Sequence, residues 1–275
     1  MDFSGVGLVV APTGEPERSG GRGDPSTRFQ IASVSKTFAA AVALMLVDRG
    51  ALRLDDEVPP WPGVTVHHLL CHTSGLGHWA EMAGIDLATG RISRDLIRQS
   101  SLLTEPGARW RYSSPGYILL GELIERAAGK PYAQVLGDLL LEPLGLRDTV
   151  AGVRPTERVA DGHRDGKPVR EWDLSAQAGT GDVWSTVGDL TRFALGLDRD
   201  ILARMRQPRA KLPEHDDIVT DYGYGLYLGD RWALHTGDNP GFRSVLAWLP
   251  DGRVAAALCN DETGPGPYEA IRALT

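Results

Sequence analysis

The sequence predicts an α/β fold of the α+β kind: an antiparallel sheet with flanking helices, plus a mainly helical region. Three observations carry this. One apolar stretch opens the chain, helical periods crowd its middle, and short apolar or aromatic runs separated by turn signals close it. An early strand is therefore expected to join a late sheet. Residues 1–54 and 180–275 form the sheet and its helices, 55–179 form the helical region, and a site is expected at their junction.

Residues 5–10 read as a strand, and 12–24 are rich in Gly, Pro and charge, as a turn region would be. Residues 33–49 are almost continuously Ala, Val, Leu, Met and Phe, up to Gly50. That length predicts a helix, and apolarity on every face predicts a buried one. Further helical periods cover 94–99, 118–128 and 132–141, and little between 55 and 175 reads as strand. Thr186-Val187-Gly188-Asp189 reads as a capping box opening a helix. Strands are expected over 222–228, 231–236, 243–249 and 253–259. Pro250-Asp251-Gly252 forms a hairpin turn between the last two, and a final helix covers 267–274. There is no internal repeat.

At 275 residues the chain is long enough to bury a substantial core. Its 36 acidic and 29 basic residues leave a net charge of -7, which offers no overall attraction to phosphate backbones or anionic lipid. Neither nucleic acid nor a membrane is expected as a partner. The two cysteines, Cys71 and Cys259, are too sparse for a disulfide framework and fit a reducing compartment. The amino terminus carries no basic region, and the apolar stretch at 6–11 is too short for a signal sequence. A cytoplasmic location is the expectation; the oligomeric state is left open.

The chemistry begins at Ser33-Val34-Ser35-Lys36, which sets a hydroxyl at the start of the buried helix and an ammonium three residues on, on the same face. A serine needs a base to take its proton. A lysine whose charge is disfavoured by burial can be that base, or can hold another base ionised. The helix amino terminus adds N–H groups where an oxyanion would form.

Two further segments join it. Glu105-Pro106-Gly107-Ala108-Arg109-Trp110-Arg111-Tyr112-Ser113-Ser114 precedes a helix, and His235-Thr236-Gly237 ends an expected strand. With Leu69-Leu70-Cys71-His72-Thr73-Ser74-Gly75-Leu76, Glu142-Pro143-Leu144-Gly145-Leu146, Trp184-Ser185-Thr186 and Tyr222-Gly223-Tyr224-Gly225, in this order, the chain resembles the serine beta-lactamase and penicillin-binding-protein superfamily. The resemblance is to its class C beta-lactamase, family VIII esterase and DD-peptidase-like branch. It implies a beta-lactamase/transpeptidase-like fold, Ser33 as nucleophile, Lys36 beside it, and Tyr112 as the partner that relays a proton to the leaving group. Backbone N–H groups of Ser33 and Asp238 would form the oxyanion hole, with His235, Thr236, Gly237 and Ser114 on the substrate side. Moving a tyrosine from its reference pKa of about 10 to about 7 takes roughly 4 kcal/mol. One cation about 4 Å away at an effective dielectric near 20 supplies a similar amount. The choice of Lys36 or Tyr112 as acylation base stays open at this point.

Two departures from the family pattern bear on substrate. The third motif begins with His235 rather than lysine, so anchoring of a carboxylate is expected to be weaker. Ser114 stands where an asparagine is usual, replacing an amide with a shorter hydroxyl. Tyr224, Trp79, Trp184 and Phe242 are candidates to line the cleft. His67, His68, Cys71, His72 and His78 lack the accompanying ligands of a known metal motif, so neither a metal nor another cofactor is expected. The basic stretch 204–211 reads as a solvated helix end. The expected activity is hydrolysis of an ester or amide of a small-molecule acyl substrate through an acyl-enzyme on Ser33. The alternatives are an acyltransferase with a non-water acceptor and a catalytically silent binding or sensor protein.

Overall fold

Strand β1 (Gly5–Val10) runs buried alongside the last strand of the chain, with Gly5 opposite Cys259 and Val10 opposite Val254. The computed structural model describes residues 3–86, 92–170, 175–213, 219–230, 232–263 and 266–275. On the other side of β1 lies β2 (Pro16–Gly20), exposed along most of its length. Rich in Gly, Pro and charge, this segment is expected from the sequence to be part of a turn. Its Pro16, Glu17 and Arg18 are residues that suit a sheet edge, where an apolar pattern is not required.

After β3 (Phe29–Gln30), a 3-10 turn at Ala32–Val34 leads directly into α1 (Ser35–Asp48). Residues 35–44 of α1 are buried throughout, as the apolar run predicts. The helical region follows with α2 (Val66–Leu70), α3 (Arg94–Arg98), α4 (Ser114–Ala128) and α5 (Tyr132–Leu136), the last continuing as a π turn over Gly137–Leu141. Short strands follow: β4 (Val150–Ala151), β5 (His163–Arg164), β6 (Lys167–Pro168) and β7 (Val183–Ser185). β4 and β3 flank β7 in a small sheet.

Helices α6 (Val187–Gly196) and α7 (Arg199–Met205) precede the meander β8 (Ala210–Lys211), β9 (Asp221–Tyr222), β10 (Tyr227–Leu228), β11 (Ala233–Asn239), β12 (Phe242–Trp248) and β13 (Val254–Cys259). The chain closes with α8 (Pro267–Leu274). The large sheet is antiparallel in the order β2-β1-β13-β12-β11-β10-β9-β8, so the early strand does join the late ones. Its inner strand β13 is buried on both faces. Val254, Ala256 and Leu258 of β13 face a cluster with α1 and α6, while Ala255, Ala257 and Cys259 face one that includes Phe3 and Ile271 of α8. This is the period-2 alternation of a strand, hidden in the sequence because both faces are apolar.

Three local expectations change. Residues 222–228 form two short strands, because the chain between them turns in against α1. Gly225 has φ +67°, a Cβ there would stand 2.7 Å from Ala40 Cβ, and its carbonyl accepts the Thr37 hydroxyl at 3.1 Å. The strand expected over 231–236 runs from Ala233 to Asn239, and Arg231 lies outside the described residues. Thr186 caps α6 by accepting the Asp189 N–H at 3.1 Å, but Asp189 is a methylene shorter than the glutamate of a reciprocal box. Its carboxylate accepts from Asp148 N and Thr149 Oγ1 instead. Among the described residues no helix is long and apolar enough to cross a membrane.

Candidate active site

Every residue from 31 to 40 is buried except Ser33, which is half-buried. The turn that presents it is strained: Ala32 has φ +46°, a left-handed conformation uncommon outside glycine. Tertiary contacts hold it there. Ile31 donates its N–H to Val183 O at 3.0 Å and accepts the Ser244 hydroxyl at 2.6 Å. Strand β11 presses on the turn through Gly237, where a Cβ would lie 2.4 Å from Ile31 O and 3.0 Å from Ala32 Cβ. Gly237 is thus the residue that lets a sheet strand lie against the Ser33 turn.

One helical turn on, Lys36 is wholly buried. Its Nζ donates to Ser33 Oγ at 2.9 Å and to Thr180 O at 2.9 Å, and lies 5.0 Å from the centre of the Tyr112 ring. Burial drives its pKa well below the ordinary lysine value, and Asp182 pushes weakly the other way. Asp182 is itself buried, which raises its carboxyl to about 7.

Tyr112 sits just before α4, and the side chains of Ser33 and Ser114 act on its hydroxyl. Burial raises its pKa above the ordinary tyrosine value, and those two hydroxyls recover only part of the shift. The ring is held by the 72–78 segment. His72 Nδ1 accepts the Ser113 N–H at 3.1 Å, His78 Nδ1 accepts the Ser114 N–H at 3.3 Å, and Ser113 Oγ donates to Gly77 O at 2.9 Å. The His72 ring packs 4.4 Å from that of Tyr112. Burial keeps both imidazoles neutral, His72 far below the usual range and His78 at about 4.

On β11, His235 is buried with Nδ1 against Thr236 O at 2.6 Å and Nε2 against the Tyr222 hydroxyl at 3.1 Å. Both ring nitrogens are engaged within the protein, and burial beside Lys36 lowers its pKa to about 3. Thr236 and Asp238 alternate to the exposed face. The Asp238 carboxylate turns to Arg243 at 3.6 Å.

A cavity of about 610 Å³ opens beside Tyr112, with His78, Glu81, Arg109, Trp110 and Lys211 among its walls. The aromatic residues expected there divide. Trp184 and Phe242 pack on each other at 5.6 Å in the core, and Tyr224 is buried with its hydroxyl on His67 Nδ1 at 2.7 Å. Trp79 is half-buried beside His78. Trp110, which the sequence reading left unassigned, forms a wall in their place. Among the described residues no group of three His, Cys, Asp or Glu side chains could hold a metal ion. In the 204–211 stretch, Arg204 pairs with Asp48 and Lys211 with Asp221.

Sequence reasoning missed Asp182, the Thr180 carbonyl and the two histidines that seat Tyr112. The available signal for Asp182 was an acidic residue set directly before the apolar strand Val183–Ser185.

The Beta-lactamase family model matches residues 1–274. Esterase EstB of Burkholderia gladioli is 38% identical over 189 residues, covering 59% of this chain and 46% of that protein, so the chain spans about half the length of this relative. Penicillin-binding protein 4 of Amycolatopsis lactamdurans is 32% identical over 280 residues, covering 85% of this chain and 72% of that one. Among solved structures, the D-stereospecific amidohydrolase from Streptomyces sp. superposes with a TM-score of 0.81 at 25% identity, covering 98% of this chain and 93% of that one.

Proposed function

This chain belongs to the beta-lactamase family, and from that premise we propose that it is a serine hydrolase that forms an acyl-enzyme on Ser33 and cleaves an ester or amide. One observation carries the reading: Lys36 Nζ lies 2.9 Å from the hydroxyl of the one half-exposed residue in an otherwise buried segment.

Burial favours the neutral amine of Lys36, and the raised pKa of Tyr112 favours its neutral phenol. Ionising Tyr112 near pH 7 would take more than about 4 kcal/mol, since burial adds to the reference gap of roughly three units. Lys36 is therefore the acylation base. It takes the Ser33 proton as Oγ bonds to the substrate carbonyl carbon, and main-chain N–H groups of Ser33 and Asp238 receive the oxyanion. Tyr112 gives its proton to the leaving oxygen or nitrogen as that bond breaks, and the Lys36 ammonium returns a proton to Tyr112. Water then attacks the acyl carbonyl, its proton passing through Lys36 to Ser33 Oγ as the bond from that oxygen to the acyl carbon breaks.

The neutral, engaged His235 supplies no fixed cation for a carboxylate beside the scissile bond, which supports a substrate uncharged at that position. The relatives' names, an esterase and an amidohydrolase, support either kind of acyl bond. The partner is a small-molecule acyl donor, and two buried free thiols support a cytoplasmic, reducing setting.

Intact mass after incubation with p-nitrophenyl butyrate tests the reading. The butyryl adduct is expected on the wild type and absent from Ser33→Ala. Turnover that accelerates with added alcohol or amine would shift the reading to an acyltransferase. A wild type that takes no acyl group from this ester or from nitrocefin would be a silent binding protein.

A further inference from the structure

Asp182 is 1% exposed at the entry to β7, two residues after Thr180, whose carbonyl accepts Lys36 Nζ at 2.9 Å. A carboxylate in the interior is costly unless it is paired and hydrogen-bonded. Asp182 Oδ1 accepts the Gly179 N–H at 3.1 Å, which closes the 179–182 loop, and the Thr180 carbonyl of that loop takes the second hydrogen bond of Lys36 Nζ. One residue therefore shapes the loop that steers the amine and also supplies a charge beside it.

Its surroundings isolate this pairing. Glu125 of α4 and Tyr132 of α5 face Asp182 from the helical side. Around Lys36 stand the imidazoles of His72, His78 and His235 and the rings of Tyr112 and Tyr117, which are neutral in this setting. Asp182 is the carboxylate of the loop whose Thr180 carbonyl holds Lys36 Nζ. Thr180 Oγ1, Gln177 Nε2 and Tyr132 OH are buried without hydrogen-bond partners, so the loop and α5 contribute further uncompensated polar groups.

We propose that Asp182 is a positioning residue for acylation, its carboxylate serving as the buried counter-charge that stabilises the Lys36 ammonium as the Ser33 proton arrives. The proposal rests on the reading of Ser33 and Lys36 as nucleophile and base. As Oγ bonds to the carbonyl carbon, the proton passes from Ser33 to Lys36, and the couple goes from amine and carboxylate to ammonium and carboxylate. When Asp182 is protonated, the ammonium forms without a partner and acylation slows. Because Asp182 titrates at about 7, wild-type kcat/KM should rise through neutral pH and level off above it.

Asp182→Asn separates charge from shape, since its amide oxygen still accepts the Gly179 N–H. The expected result is a plateau of kcat/KM lower by roughly tenfold or more and loss of the acid limb that Asp182 imposes near neutral pH, with unchanged thermal melting. Asp182→Glu keeps the charge and should keep the limb near its wild-type pH. An Asn variant equally slowed at all pH values, with an unmoved limb, would overturn the proposal and leave Asp182 a purely structural residue. If the Asn variant does not fold, the wild-type profile decides: no ionisation between pH 6 and 8 also overturns it. A wild type that never acylates Ser33 defeats the hydrolase reading itself, whereas an acylating wild type with an unmoved Asn limb defeats only the role of Asp182.

Discussion

The β12–β13 hairpin and the segment 31–36 are both almost wholly buried, yet they are built on opposite principles. In the hairpin, side chains alternate between two apolar clusters, the strands stay in register from Arg243–Cys259 to Trp248–Val254, and a short turn closes the end. In the 31–36 segment, Ala32 takes a left-handed conformation, a lysine is buried without a direct ion pair, and a glycine on another strand makes the room. The hairpin satisfies each local rule. The Ser33 turn violates several and persists because the surrounding structure over-determines it, the pattern expected where strain and desolvation serve chemistry.

The most severe test of this contrast is Tyr112→Phe. It should reduce kcat by about 10²- to 10⁴-fold, the range of a lost proton donor, while thermal melting stays at the wild-type value. A variant with near-normal turnover would remove Tyr112 from the proton path. Leu258→Ala, on the hairpin, should do the reverse. Truncating a fully buried leucine costs about 2–5 kcal/mol of stability in denaturant titrations, with kcat per folded molecule unchanged. Loss of kcat comparable to that in Tyr112→Phe would show that the two regions are not separable.

A smaller effect sharpens the comparison through pH. His72, His78 and His235 have folded pKa values below the unfolded value of about 6.5, with His78 at about 4 and His235 at about 3. Below pH 6.5 the unfolded chain binds protons that these buried rings refuse, so stability present above that value is lost as pH falls toward 4 and 3. Asp182, raised to about 7, opposes this, because the folded state holds its proton between about 7 and the ordinary carboxylate range. Lys36, His67 and His68, also lowered, join the three histidines, and Asp238, also raised, joins Asp182, so the melting temperature should be lower at pH 5 than at pH 7.5. A Ser33-side cluster that titrated freely would show no such drop.

These regions also differ in how far they could be read from the chain. The apolar run of 33–49 is enough to predict a buried helix, Pro250-Asp251-Gly252 enough to predict a hairpin, and the spacing of Ser33 and Lys36 enough to put both on one face. Each of these has a local cause, acting over a few bonds or one helical turn. The edge strand Pro16–Gly20 and the break within 222–228 escaped because their causes lie elsewhere: an open sheet edge in the first case, and the close approach of α1 in the second.

From its residues alone the chain determined which side chains could carry the chemistry and which segments would be helix or strand. Only the tertiary structure decided how those side chains behave. Lys36 meets a carbonyl 144 positions away, Tyr112 is seated by histidines some forty positions earlier, and Asp182 enters the Lys36 environment from the start of another strand. Desolvation and charge coupling depend on which remote segments exclude water from a group, and that is a property of packing in three dimensions rather than of neighbours along the chain.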